Sequence, residues 1–94
     1  MLEIVYTNKM KRDVKLMQKR GKDMAKLVKT LDLLANRQPM PPNFHDHQLS
    51  GNLKDFRECH VGGEGEWLLM YQIFDDKLIL SASGTGTHSD LFGG

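Results

Sequence analysis

Three histidines, His47, His60 and His88, stand at segment ends in the second half of this 94-residue chain, with an acid, Glu66, between the second and the third. Histidine changes charge near neutral pH and is the side chain best suited to move protons there. A carboxylate beside a ring stabilises its protonated form and fixes its tautomer. Such a set supplies both a base and an acid to one reaction. Three histidines and an acid can also hold zinc, but the sequence has neither HExxH spacing nor a cysteine pair. Nothing points to a serine or cysteine nucleophile: Cys59, next to His60, faces the other side of a strand and reads as core packing. Taken singly, a histidine where a loop meets a strand does no more than satisfy a hydrogen bond, and His45 stays in that class. The elements that carry the rings therefore decide whether they meet.

Leu2 to Tyr6 reads as a short strand, rich in residues that favour extended backbone. Thr7 or Asn8 can cap a first helix, in which Met10, Val14 and Met17 recur at helical spacing, with Leu16 beside them and lysines around the rest. Gly21 ends that helix, and Asp23 caps a second one bearing Met24, Leu27, Val28, Leu31, Leu34 and Ala35 on one face. Pro39, Pro41 and Pro42 forbid continuation, so 38–52 is a loop carrying His45, Asp46 and His47. Three extended runs follow: Leu53 to Val61, then Trp67 to Phe74, then Lys77 to Ala82. The middle one is apolar on both faces and belongs in the centre of a sheet. The expected fold is α+β in two layers, β-α-α-β-β-β, with a mostly antiparallel sheet on a helical hairpin. One sheet face packs on the helices; the other stays free for function.

Ninety-four residues fit one domain, spanning 1–94. One cysteine excludes an intrachain disulfide and suits a reducing compartment. There is no apolar run long enough for a membrane span or a signal peptide, so the expected location is the cytoplasm. The net charge of +1 conceals an asymmetry, with residues 1–37 at +6 and residues 38–94 at −5. A basic half in a near-neutral chain suggests a surface for a polyanion or an acidic partner, although a solvated helix face would look the same. Phe92 lies close behind His88 near the end of the chain, where an aromatic ring can stack on an exposed base, a contact of about 1–3 kcal/mol. Lys54 and Arg57 are candidates for phosphate contact on the same sheet.

Taken together, Lys11-Arg12-Asp13-Val14-Lys15, Asp46-His47-x-Leu49-x-Gly51, Phe56-Arg57-Glu58-x-His60-Val61, Trp67-Leu68-Leu69-Met70-Tyr71 and Gly86-Thr87-His88-Ser89-Asp90-Leu91-Phe92-Gly93 resemble the RelE toxin superfamily, and within it the YafQ branch. The resemblance covers nearly the whole chain, in order. It implies the toxin of a bacterial toxin–antitoxin pair: an mRNA interferase that enters the ribosomal A site and cuts message there by attack of a ribose 2′-hydroxyl on the adjacent phosphate. It implies no metal and no cofactor. It places His47, His60 and His88 as the active-site histidines, Glu66 where the branch has aspartate, and Phe92 as the base-stacking aromatic. His60 and His88 are then the proton-transfer pair and His47 the phosphate-positioning residue. The implied partner is an acidic antitoxin of the ribbon–helix–helix type. The sequence departs from the pattern at Glu66, one methylene longer, at Gly84, where relatives carry an arginine, and in a longer Gly62–Gly65 connection. These departures motivate an alternative, a toxin-fold binding module that engages antitoxin or ribosome but cuts little.

Overall fold

Leu68, Leu69, Met70 and Tyr71 are all buried, and the strand they form occupies the middle of the sheet. In the computed structural model, which describes residues 1–93, the order is β1 (Glu3–Tyr6), α1 (Asn8–Lys19), α2 (Met24–Ala35), β2 (His47–Gln48), β3 (Arg57–His60), β4 (Leu68–Phe74), β5 (Ile79–Gly86) and α3 (His88–Phe92). Gly94, the last residue of the expected domain, lies outside the described residues. The sheet runs β1-β5-β4-β3-β2; β1 lies parallel to β5 and every other pair is antiparallel.

The helices form where caps and periodicity dictate. The Thr7 hydroxyl accepts the Met10 amide at 3.1 Å, and the Asp23 carboxylate accepts the Ala25 amide at 3.0 Å. Gly21, at φ 77°, makes the link between them. Met10 and Met17 from α1, and Leu27, Leu31, Leu34 and Ala35 from α2, meet Leu2, Cys59, Leu69, Leu80 and Ala82 from the sheet. Each fully buried Leu or Met there contributes about 1.5–3 kcal/mol of transfer free energy. Val28 does not belong to the buried stripe: it is exposed, because the arc through Leu27, Leu31 and Leu34 already fills the contact with the sheet.

Two of the expected extended runs, and the loop before them, differ from expectation. Residues Gly51–Leu53 are a 3-10 turn, with Gly51 at φ 63°, and the strand begins only at Arg57. The loop before it contributes the two-residue edge strand β2, in register with β3 through His47 and Glu58. Finally, β5 starts after a turn in which Leu78 takes φ 54° and continues four residues past Ala82. Ser83, Gly84 and Gly86 have little strand preference of their own; pairing of Met70, Leu69 and Leu68 with Gly84, Thr85 and Gly86 holds the segment extended. Trp67 is core, as expected, and its indole N–H donates to Thr85 Oγ1 at 2.7 Å.

Candidate active site

Side chains alternate along β3, so Arg57 and Cys59 face the helices while Glu58 and His60 face the opposite side. On that side β2 sets His47 directly beside Glu58. At the other border, β5 ends at Gly86 opposite Leu68, itself opposite His60, and α3 turns back over the sheet with His88 at its first position. His45, His47, Glu58, His60, His88 and Phe92 thus line one open hollow of about 630 Å³. Glu66, with His60 and His88, lines a second hollow that adjoins it. The His45 and His60 rings lie 5.1 Å apart between centroids, and those of His88 and Phe92 5.2 Å apart.

Backbone carbonyls fix two of the rings. A carbonyl can only accept, so His47 Nδ1–H donates to His45 O at 2.6 Å and His60 Nδ1–H to Gly65 O at 2.8 Å. Each neutral ring therefore presents a bare Nε2, an acceptor able to take a proton. His47 Nε2 stands 3.7 Å from Glu58 Oε1, an ion pair whenever the ring is protonated. Glu58 is only 3% exposed, and its Oε2 has no hydrogen-bond partner among the described residues. A buried carboxylate oxygen left unpaired is costly and uncommon outside functional sites. Glu58 is the residue the sequence reading passed over, although its parity with His60 on one strand places the two on the same face.

Comparison with known proteins decides the family. A model of the bacterial toxin of type II toxin–antitoxin systems, YafQ, matches residues 2–93. The chain belongs to the YafQ toxin family. It is 44% identical to the mRNA interferase toxin YafQ of Escherichia coli K12 over 97% of this chain and 96% of that one. Crystal YafQ from E. coli BL21(DE3) superposes with a TM-score of 0.88 at 41% identity, covering 99% of this chain and all of that one. The toxin in the E. coli DinJ–YafQ toxin–antitoxin complex gives 0.85 at 44% identity, covering 98% of each.

Not every expected site residue of this YafQ-family chain reaches the hollow. Arg57 lies on the helix side, where its guanidinium donates to Asp46 Oδ2 at 3.1 Å and to the Tyr71 hydroxyl at 3.4 Å; it is not on the face of the histidines. The Tyr71 hydroxyl also donates to Asp46, and burial first, then Asp46, hold that phenol above its usual range. The cluster anchors the residue just before His47 to the sheet. Lys54 is exposed at the end of the 3-10 turn and lines neither hollow. At Gly84 an added Cβ would sit 3.1 Å from both Leu91 Cδ2 and Lys9 Nζ, and Lys9 is paired with Asp13 at 2.6 Å. Neither arginine nor lysine lines either hollow.

Cys59 is fully buried among the helices, and desolvation first, then Asp46 and Glu58, push its thiol up to about 12. The thiolate is the reactive form, so iodoacetamide at pH 8 should leave native Cys59 unmodified for hours and label it within minutes in guanidinium. Prompt labelling of the folded protein would contradict that placement.

Proposed function

We propose that this chain is an mRNA interferase, acting on message in the ribosomal A site, with the whole chain serving as one toxin domain. The observation that carries this is the convergence of His47 from β2, His60 from β3, and His88 and Phe92 from α3 around buried Glu58. In the proposed step the bare Nε2 of His60 takes the proton of a ribose 2′-hydroxyl as its oxygen attacks the adjacent phosphorus. Protonated His88 gives its proton to the departing 5′-oxygen, leaving a 2′,3′-cyclic phosphate and a 5′-hydroxyl. Protonated His47, held between the His45 carbonyl and Glu58, supplies positive charge to the crowded phosphate. Phe92 stacks on a base, and Glu66 at the rim orients the His60–His88 end. No metal enters this step, so EDTA should leave the rate unchanged.

The absence of arginine and lysine from the residues lining the hollow favours a second version, in which the toxin fold engages its partners but cuts slowly. A reconstituted translating system separates the two. Primer extension should find new ends, bearing a 5′-hydroxyl, only when ribosomes are engaged on the message. Intact ribosome binding without new ends would establish the second version, and equal cutting of free RNA would refute dependence on the ribosome.

The partner we propose is an acidic antitoxin of the ribbon–helix–helix type, recognised in part by the basic helices, in the cytoplasm where ribosomes work. Lys11, Arg12, Lys15, Lys19, Lys22 and Lys29 stand outside every ion pair of the described residues and leave that surface positively charged. No helix of the described residues is long and apolar enough to cross a membrane.

A further inference from the structure

We propose that Arg20 and Asp90 are positioning residues of the active site: their ion pair pins α3, and with it His88 and Phe92, over the sheet. The inference rests on the interferase function proposed above. Helix α3 has five residues, far fewer than a helix needs to persist unaided, and it holds a site residue at each end. Its order must come from elsewhere.

Asp90 supplies that order through several bonds. Its carboxylate receives Arg20 Nη1 at 2.6 Å and Nη2 at 3.1 Å, a two-pronged contact across 70 positions of sequence. The same carboxylate accepts the Thr87 amide at 2.9 Å and its hydroxyl at 3.0 Å, while Thr87 Oγ1 accepts the Asp90 amide at 3.3 Å. Thr87 is the residue immediately before His88, so the guanidinium reaches the imidazole through one carboxylate and one cap. Arg20 is itself fixed: it closes α1, its amide donating to Leu16 O at 3.1 Å, three residues beyond Met17 in the core. Gly86 leaves room for the arrangement, since a Cβ there would fall 2.7 Å from Asp90 Cβ on a backbone at φ 153°. The apolar side of α3 is seated separately by Leu91 over Gly84. Exposed ion pairs contribute little to global stability. This one acts on orientation, because without it only the cap and the Leu91 contact keep a single turn of helix aligned with a rigid sheet.

The test uses the full chain with Arg20→Ala, Asp90→Ala, the double variant, and Arg20→Lys. Each single alanine variant should slow single-turnover cleavage on programmed ribosomes about tenfold, the scale of a slightly misplaced catalytic group, while ribosome affinity changes less than about twofold. The double variant should be no slower than the worse single, and lysine at 20 should recover part of the loss. In the free protein, amide exchange of residues 88–92 should accelerate and the His88 ring signals shift, with those of His47 and His60 unmoved. Cleavage by Arg20→Ala within about twofold of wild type, or a loss confined to ribosome affinity, overturns the proposal. If the wild-type chain itself fails to cut, the interferase function is what fails. The exchange and ring signals of the free protein then still decide whether the pair pins α3.

Discussion

Alanine at both His60 and His88 is expected to abolish detectable mRNA cleavage while leaving the fold intact. A positioned proton donor or acceptor accelerates its step by about 10²–10⁴-fold, so either single change should cost at least about 100-fold. In the proposed displacement the two act together, so the double variant should fall well short of the product of the singles. Neither ring belongs to the core cluster, and His88 is exposed, so the melting temperature should move by no more than a few degrees. Loss of activity with a retained melting transition locates the effect in chemistry. A double variant that cuts at the wild-type rate removes the histidines from the mechanism.

Glu58→Met is expected to make the protein more stable and the toxin weaker. Methionine approximates the shape of glutamate and replaces a carboxylate that is 3% exposed and carries one oxygen without a partner among the described residues. Leaving a buried polar group unsatisfied costs about 1–3 kcal/mol. Against this stands loss of the long contact with His47, whose ring is half exposed and worth at most about 1 kcal/mol. The first effect is the larger, so the melting temperature should rise, by about 4–8 °C for each kcal/mol gained. Cleavage should fall at least about tenfold, because the ion pair proposed to hold charged His47 at the phosphate is gone. A variant that is both more stable and fully active would show that Glu58 has no share in the chemistry. One that melts earlier would show that the carboxylate is satisfied in solution after all. This trade of stability for a strained polar group is the usual sign of a functional site.

Much of this was legible from residues alone. The double-sided apolarity of Leu68 to Tyr71 placed β4 at the centre, and the helical spacing of Leu27, Leu31 and Leu34 placed α2 on the sheet. What escaped did so for identifiable reasons. Helix α3 is too short for periodicity to show, yet Thr87-His88-Ser89-Asp90 spells a capping box, the one local signal strong enough to reveal it. Arg57, a candidate for phosphate contact, lies an odd number of residues from His60, and parity along β3 puts the two on opposite faces. The extension of β5 through Ser83, Gly84 and Gly86 has no local cause; it is imposed by β4.

Asp90 also bears on acid resistance. The Arg20 hydrogen bond, then the Thr87 amide, hold its carboxyl well below the usual carboxylate range. A lowered value in the folded state means its contribution is complete above the unfolded carboxylate range near about pH 4. It is lost only as pH falls through the lower folded value. The pin on α3 therefore stays closed at every pH where ribosomes translate.

The place of β5 has a consequence for how this toxin is made. Residues 79–86 pair with β4 on one side and with the first strand of the chain on the other. During synthesis β1 emerges well before its partner, with two helices and three other strands made between them. His88 and Phe92 follow that partner by only a few residues. Fragments ending before Ile79 lack the sheet's second strand together with His88 and Phe92 of the proposed site. A fragment cut short of β5 therefore leaves β1 without its partner strand and the hollow without His88, the proposed proton donor, so cleavage should require synthesis through Phe92.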